Sequence, residues 1–371
     1  MTIFYLLTFL VCGGYVVLML SYLVGWMKTP GWSGFKIQAN TKCSVIIPAR
    51  NEEKNILKIL HCLSKQTYPQ DKFEIIVVND HSFDRTAEVV SHCEIPNLRF
   101  ISLPEPLAGK KQALAEGIKK SRGELIITTD ADGEMGEEWL SSIASYYEKE
   151  KPKMMVAPVL LKDERSFSEI LQAQEMTVLT ASAGASLYYG HPVLCSGANL
   201  AYEREAFNSV NGFEGIEHTA TGDDIFLMLK FYKKFPNEIK YLKSKEATVV
   251  TYPEPKSSDA LKQRKRWASK TFRYGFSRIT WLAVLVFLAN FFIAFSGILS
   301  VINIKFAFAL VATLPLKCIV DYMLLHSASS FFGKKNHALV FMMASLVYPF
   351  YVTYIGLVAP FTNYSWKSRT S

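Results

Sequence analysis

Hydrophobic and polar residues follow two different patterns along this chain. Some stretches are almost free of charge and long enough to cross a bilayer core of about 30 Å at about 1.5 Å per residue. These stretches are Ile3 to Trp26, Leu282 to Ile304, Phe306 to His326 and Ala338 to Phe361. Lys317 and Asp321 interrupt the third stretch. The pattern predicts a multi-pass membrane protein with one large polar insert.

The first apolar stretch differs from a cleaved signal peptide. It has no basic start, its apolar run is long, and no small-x-small site closes it, so we expect a retained anchor. The expected domains are an N-terminal transmembrane helix over residues 1–27, a cytosolic domain over 28–278, and a C-terminal membrane domain over 279–371 with about three spans.

Inside the insert, short apolar runs alternate with segments of helical spacing. Strands are predicted over Cys43 to Pro48, Phe73 to Val78, Leu98 to Leu103 and Glu124 to Thr129. The segments between them, Asn51 to Lys65, Thr86 to His92 and Gly109 to Lys120, have helical spacing. After Glu137 the alternation weakens, and helices are predicted over Ser166 to Tyr189, Asp223 to Phe235 and Asp259 to Arg278. This order predicts an α/β fold with a mostly parallel, Rossmann-like sheet.

Composition and charge narrow the class of partner. The chain has 371 residues, 50% of them hydrophobic, and a net charge of +8. Its basic residues concentrate just before the second apolar stretch, at Lys256, Lys262, Arg264, Lys265, Arg266, Lys270, Arg273 and Arg278. That position is typical of a domain held on the cytoplasmic side, facing anionic lipid. Zinc-finger spacing and aromatic RNA-binding signatures are missing, so we expect a membrane partner and no nucleic acid.

The six cysteines indicate neither a disulfide framework nor a zinc site. They are scattered, and no Cys-x-x-Cys or Cys/His cluster occurs. This usage fits a reducing cytosol.

The strongest chemical signal is Asp130-Ala131-Asp132, directly after a predicted buried strand. Ligands bind at the carboxyl ends of strands in open α/β sheets. Two carboxylates this close repel each other unless a cation such as Mg²⁺ or Mn²⁺ lies between them and a phosphate. Taken alone, the pair also fits a solvated acidic turn.

Five segments in a fixed order decide between these interpretations. They are Ile46-Ile47-Pro48-Ala49-Arg50-Asn51-Glu52, Val78-Asn79-Asp80-His81-Ser82-Phe83-Asp84, Asp130-Ala131-Asp132, Thr221-Gly222-Asp223-Asp224 and Gln263-Arg264-Lys265-Arg266-Trp267. Together they make the chain resemble the membrane-embedded family 2 glycosyltransferases, which include ceramide glucosyltransferases and processive polysaccharide synthases. The resemblance covers about Cys43 to Trp267 and implies the glycosyltransferase A fold.

The resemblance implies a role for each segment on the donor side. It assigns Pro48, Arg50, Asn51 and Glu52 to a nucleotide-contacting loop. It also places Asp80 at the uracil or ribose and Lys110 near the donor. Asp130 is assigned to the ribose and the metal, and Asp132 is the stronger metal ligand. Simpler roles stay open, since Asp80 or Ser82 also fits a helix cap and Arg50 or Lys110 a surface charge.

On the acceptor side the resemblance makes Asp224 the general base, with Asp223 as the second candidate. Acidic residues also favour helix N-termini through the macrodipole, so that alternative stays open. Gln263, Arg266 and Trp267 are assigned to the Gln-x-x-Arg-Trp motif, where arginine pairs with a pyrophosphate and tryptophan packs against a sugar or headgroup. A juxtamembrane helix with basic anchors and an interfacial tryptophan is the competing interpretation.

The sequence therefore predicts an inverting, metal-dependent transfer of a sugar from a nucleotide-diphosphate sugar, UDP-sugar first, to an acceptor hydroxyl. The acceptor is expected to be a lipid or a glycan. A lipid at the cytoplasmic surface of the inner (plasma) membrane is favoured, because processive synthases usually carry more spans. A processive polysaccharide synthase is the alternative. A transporter or channel using Lys317 and Asp321 is the alternative from another class.

Overall fold

The computed structural model describes residues 1–34, 39–215, 223–271, 277–361, 365–366 and 369–370. Thr221 and Gly222 of the fourth motif lie outside these residues, as does the side chain of Asp223. The described chain divides into two compact units. One comprises residues 29–162 and 186–252, and the other comprises residues 1–28, 163–185 and 253–371. We call them the sheet unit and the helical unit. The domain boundaries that the sequence places at residues 27 and 278 remain a prediction.

The sheet unit is built around a seven-stranded sheet in the order β3-β2-β1-β4-β8-β6-β9. Its strands, in chain order, are β1 (Cys43–Ala49), β2 (Phe73–Asn79), β3 (Leu98–Ser102), β4 (Leu125–Thr128), β6 (Met154–Val156), β8 (Leu200–Glu203) and β9 (Ile239–Tyr241). Among these strands β8 alone is antiparallel to its neighbours β4 and β6. The alternating pattern therefore predicted the α/β class correctly.

A second sheet of three short strands has the order β5-β10-β7. They are β5 (Glu134–Met135), β7 (Val159–Leu161) and β10 (Val249–Thr251). The helices of the sheet unit are α2 (Ile56–Ser64), α3 (Thr86–Ser91), α4 (Lys110–Lys120), α5 (Trp139–Glu150), α7 (Arg204–Ser209) and α8 (Asp223–Lys234).

Burial explains why these residues form this sheet. Helices cover both faces of the parallel strands, so Val45, Ile46 and Ile47 of β1 are all fully buried. The α2 helix shows the complementary pattern, burying Ile56, Ile59, Leu60 and Leu63 on one face. Burying one such side chain contributes about 1.5–3 kcal/mol.

The helical unit contains four helices that are long and apolar enough to cross a membrane. They are α1 (Thr2–Lys28), α10 (Arg278–Ile302), α11 (Ala307–Phe332) and α12 (Ala338–Val358), and the last two include an adjoining 3₁₀ turn in their apolar spans. The unit also contains α9 (Ser257–Thr271) and most of α6 (Phe167–Tyr188). Two short strands, β11 (Ser365–Trp366) and β12 (Arg369–Thr370), pair near the end of the chain.

Lys317 and Asp321 form an ion pair one turn apart on α11. The Lys317 Nζ lies 2.6 Å from Asp321 Oδ2, and both side chains are largely buried. The Tyr15 hydroxyl of α1 donates to Asp321 Oδ1 at 2.7 Å. The two charges therefore compensate each other inside the unit.

Candidate functional site

The site residues of the sheet unit lie where parallel strands end. Strand β1 has β2 on one side and β4 on the other, so the direction of chain progression through the sheet reverses between β1 and β4. Such a switch point leaves a crevice outside the carboxyl ends of the strands. Pro48 is near the end of β1, Asp80 directly follows β2, and Asp130 and Asp132 follow β4.

Backbone and side-chain hydrogen bonds join the loops after β1 and β2. The Arg50 guanidinium donates to the carbonyl oxygens of Asp80 at 2.7 Å and His81 at 3.1 Å. The Asn51 N–H donates to Ser82 Oγ at 3.0 Å, and the Glu52 N–H donates to Thr86 Oγ1 at 2.7 Å. The first and second motifs thus form one rigid rim, and in this structure Arg50 helps to build it.

Asp84, not Asp80, accepts the first backbone N–H of α3, the helix that follows β2. Its carboxylate accepts from the Thr86 N–H at 2.9 Å and the Glu53 N–H at 3.1 Å. Burial opposes ionisation, but hydrogen bonds from Thr86 and Glu53 outweigh it and lower the pKa of Asp84. The N-cap residue of α3 is Arg85, so the helix-cap interpretation does not hold for Asp80 or Ser82. The Asp80 carboxylate has another partner.

Asp80 fixes the beginning of α4. Its buried carboxylate accepts the backbone N–H of Gly109 at 3.0 Å. Gly109 has φ of 98°, a conformation that glycine adopts without steric penalty. The next residue, Lys110, begins α4 and reaches across to β4. A carboxylate at the end of β2 therefore sets the position of the lysine.

The Lys110 ammonium pairs with Asp130, its Nζ 2.5 Å from Oδ1. Asp132 is exposed and accepts from the Thr251 hydroxyl of β10 at 3.3 Å. Neighbouring protein atoms partly desolvate the Asp132 carboxylate, and the charges of Asp130 and Glu52 add to this effect. Together they raise the pKa of Asp132 to about 6. Lys110 offsets part of this rise. Asp130 and Asp132 together therefore form an anionic centre with more negative charge than Lys110 neutralises.

The metal prediction is compatible with these side chains but is not fulfilled by them alone. Within the described ranges no group of three His, Cys, Asp or Glu side chains is arranged to hold a metal ion. Mg²⁺, however, is commonly held by one or two carboxylates together with substrate phosphates and water. Asp132, with Asp130 beside it, fits that kind of open site.

Gly197 lies between Lys110 and Asp224. A Cβ added to Gly197 would be 3.5 Å from Lys110 Nζ and 3.7 Å from the Cβ of Asp224. Its N–H donates to Asp224 Oδ2 at 3.2 Å, and its carbonyl accepts from Thr128 Oγ1 at 3.0 Å. The residue therefore leaves open the space where the donor lysine and the candidate base approach each other.

Asp224 belongs to the first turn of α8. Besides the Gly197 bond, its Oδ1 accepts the N–H of Ile225 at 2.9 Å. The structure thus brings Lys110, Asp130 and Asp224 into one cluster within the sheet unit. The side chain of Asp223 lies outside the described residues, so the choice between the two aspartates remains a prediction.

The Gln-x-x-Arg-Trp motif lies on α9 in the helical unit. Arg264, which the sequence interpretation left without a role, is the buried arginine of this motif. It pairs with Glu175 of α6, Nε to Oε2 at 2.7 Å, and its guanidinium lies 4.3 Å from the Trp267 ring centroid. Gln263 contacts the same guanidinium, and Arg266 is half-buried.

Sequence patterns missed three of these residues for identifiable reasons. Thr128 and Thr251 act through single hydroxyls at strand ends and have no periodic signature. Glu175 had a usable signal, because it is the last charged residue of α6 before an uncharged run from Met176 to Tyr188.

Comparison with known proteins agrees with this arrangement. Residues 44–210 match the profile of Glycosyl transferase family 2. The probable glycosyltransferase YdaM of Bacillus subtilis is 28% identical over 270 residues, which are 68% of this chain and 58% of that protein. The 4,4'-diaponeurosporenoate glycosyltransferase of Staphylococcus haemolyticus is 32% identical over 160 residues, covering 40% of this chain and 42% of the relative.

Among solved structures, the mannosyltransferase PcManGT of Pyrobaculum calidifontis, in complex with GDP-Man and Mn²⁺, matches with a TM-score of 0.58. The match is 17% identical and covers 96% of this chain and 98% of that one. It shows the shared fold, and the mostly parallel sheet confirms the predicted glycosyltransferase A class. The chain spans less than two thirds of the length of the curated relatives described above. Residues 44–210 therefore carry a glycosyl transferase family 2 domain, and the described part of the chain includes four helices apolar enough to cross a membrane.

Proposed function

We propose that this chain transfers a sugar from a nucleoside diphosphate sugar to a lipid hydroxyl at the cytoplasmic face of the inner (plasma) membrane, with inversion at the anomeric carbon. One observation carries the proposal: Lys110, Asp130, Gly197 and Asp224 meet at the carboxyl edge of the sheet. A cation that can face a diphosphate and a carboxylate that can accept a proton are thereby close together.

The donor side is the crevice after β1, β2 and β4. Asp80 is the proposed contact for the base or ribose, with Pro48, Arg50, Asn51 and Glu52 forming the surrounding rim. The diphosphate would lie near Lys110, whose charge suits phosphate oxygens. Mannosyltransferase PcManGT is described with GDP-Man, and UDP-sugars are our first choice for this chain.

Asp132 and Asp130 would hold Mg²⁺ or Mn²⁺. One fact supports the fit: the negative charges of Asp130 and Glu52 act on Asp132 more strongly than Lys110 offsets them. A divalent ion supplies charge neutralisation for the departing nucleoside diphosphate. PcManGT is described with Mn²⁺.

The protein residues divide the transfer between them. Asp224 removes the proton of the acceptor hydroxyl as its oxygen attacks the anomeric carbon. The bond from that carbon to the diphosphate oxygen breaks on the opposite face, and the electron pair leaves with the nucleoside diphosphate. Lys110 stabilises the charge that develops there. The N–H groups of Gly197 and Ile225 donate hydrogen bonds to the Asp224 carboxylate and hold it in position for the proton transfer.

Gln263, Arg266 and Trp267 are proposed for the acceptor side. The motif is part of the helical unit, which contains the candidate membrane spans, and this supports a lipid acceptor. A processive polysaccharide synthase remains the rival, and the product distribution separates the two.

The test uses the full chain in lipid nanodiscs with Mg²⁺ or Mn²⁺. Radiolabelled UDP- and GDP-sugars are offered with a panel of acceptors: dioleoylglycerol, ceramide and a polyprenyl phosphate. We expect a single labelled lipid product carrying one sugar. A ladder of lengths would support the processive alternative, and no transfer with any pair would contradict the proposal. An Asp224→Asn protein is the matched control for contaminating transferases.

A further inference from the structure

The helical unit holds a buried ion pair that the proposed mechanism does not use. Glu175 and Arg264 join α6 to α9 at 2.7 Å, and only 11% and 10% of the two side chains is exposed. Tyr348 and Tyr351 of α12 lie beside the pair. Buried charges of this kind persist when each has a close partner of opposite sign.

Arg264 contacts both ends of the Gln-x-x-Arg-Trp motif. Its guanidinium stacks on Trp267 and donates from Nη1 to Gln263 Oε1 at 3.2 Å. One cation therefore fixes two side chains that the proposed function places on the acceptor side. A stacked arginine orients a ring face more firmly than lysine does, because its guanidinium is planar.

Glu175 is the anchor that orients this cation. Its Oε2 receives the Nε–H of Arg264, while the Nη2 of Arg264 is buried without a hydrogen-bond partner among the described residues. Burial alone lowers the pKa of Arg264, whereas Glu175 raises it, so the pair keeps the guanidinium charged. Glu175 is therefore the charged partner of a guanidinium that also contacts Gln263, Trp267 and Tyr351.

We propose that Glu175 is a positioning residue: acting through Arg264, it holds Gln263 and Trp267 in the arrangement that the lipid acceptor requires. The acceptor part of this inference rests on the proposed function. The orientation of Trp267 can be measured without any transfer reaction.

The first measurement is ¹⁹F NMR of the full chain labelled with 5-fluorotryptophan in nanodiscs. Loss of one signal in Trp267→Phe assigns the resonance. We expect Glu175→Gln to shift or broaden that resonance. The matched control is Glu164→Gln, which removes the carboxylate partner of Lys334 in the same unit and should leave it unchanged. An unchanged Trp267 resonance in Glu175→Gln would overturn the proposal.

The second measurement determines kcat and the KM values for donor and acceptor. Its acceptor is the lipid from the panel above that receives sugar from the wild-type protein. Glu175→Gln should raise the acceptor KM at least tenfold and leave the donor KM within twofold, and Glu175→Asp should recover most of the loss. If both KM values stay at wild-type level while Trp267→Ala raises the acceptor KM, the inference fails and the proposed function stands. If the wild type transfers nothing, the proposed function fails, and the NMR result alone decides the positioning role.

Because Glu175→Gln leaves a buried arginine without its partner, that variant can fold poorly. The double variant Glu175→Met/Arg264→Met removes both charges together and should keep the wild-type melting temperature. We expect it to retain the raised acceptor KM, because Trp267 has lost its cationic neighbour. A double variant with wild-type acceptor KM would show that the pair serves folding only and would overturn the proposal.

Discussion

The backbone N–H of Gly197 donates to Asp224 Oδ2 at 3.2 Å, while the other oxygen of that carboxylate accepts the Ile225 N–H. A loop residue and a helix N-terminus therefore hold the same side chain. The space that the missing Gly197 side chain leaves faces Lys110 as well. This relationship connects the two halves of the proposed reaction.

Asp224→Asn should keep the fold and lose the proton acceptor. The amide oxygen still accepts one backbone N–H, but it cannot take the acceptor proton, so kcat should fall by about 10²–10⁴-fold. Donor affinity, measured by titration calorimetry with UDP, should stay within a factor of about two, because Asp224 is not a proposed phosphate contact.

Asp223→Asn is the comparison for that experiment, since both aspartates were candidates for the base. We expect it to keep kcat within about tenfold of wild type, below the effect expected for a general base. If the large loss followed Asp223→Asn instead, the base would be Asp223.

Gly197→Ala tests the space between donor and acceptor groups. The added methyl meets Lys110 Nζ at 3.5 Å and Asp224 Cβ at 3.7 Å, ordinary contact distances, so the protein should fold normally. It occupies room that the proposed substrates need, and small displacements of reacting groups can lower rates by about 10²-fold. We expect kcat/KM to fall at least tenfold.

The matched control is Gly136→Ala, at an exposed position where a Cβ meets nothing within 4 Å. Its activity and melting temperature should equal those of the wild type. Wild-type kcat/KM in Gly197→Ala would mean that no substrate passes between Lys110 and Asp224.

Asp132→Ala tests the metal proposal. Removing this carboxylate should abolish stimulation by Mg²⁺ or Mn²⁺ and lower transfer by about 10²-fold or more, the size of a lost electrostatic contact in a transition state. Wild-type activity should vanish with EDTA and return with added Mn²⁺. Thr251→Val, which removes only the 3.3 Å hydrogen bond to Asp132, should keep metal stimulation. Full activity of Asp132→Ala with chelator present would exclude the metal role.

The sequence predicted the parts of the molecule that depend on local pattern. Runs of apolar residues predicted the strands β1, β2 and β4 and the four apolar helices, because such runs are stable only where they are shielded from water. The ordered motifs also indicated Asp130 and Asp224. Contacts between distant segments were not predictable, since Lys110 finds Asp130 and Glu175 finds Arg264 only after the chain has folded. Arg50 illustrates the same limit, because its two backbone carbonyl partners belong to another loop.

Lys243 gives a test of stability that is independent of catalysis. Its side chain is buried in the sheet unit, where Nζ donates to the Thr29 carbonyl at 3.2 Å. Burial lowers the pKa of Lys243 from the ordinary 10.5 to about 8. Between these two pH values the unfolded chain holds a proton that the folded chain has released, so folding stability rises with pH. Below pH 8 the full penalty applies, roughly 3 kcal/mol at about 1.4 kcal/mol per pKa unit.

Lys243→Met should therefore stabilise the protein at pH 7. It removes the penalty for burying a charge but leaves the Thr29 carbonyl without this donor, which costs about 1 kcal/mol, so we expect a net gain of about 2 kcal/mol. Thermal unfolding of the full chain in detergent should show a melting temperature higher by about 4–8 °C at pH 7. The advantage should shrink towards pH 10, because wild-type Lys243 is then neutral when folded. Lys245→Met, at an exposed position two residues on, should change neither value. A lower melting temperature for Lys243→Met at pH 7, with an unchanged pH dependence, would mean that the ammonium stabilises this part of the sheet unit.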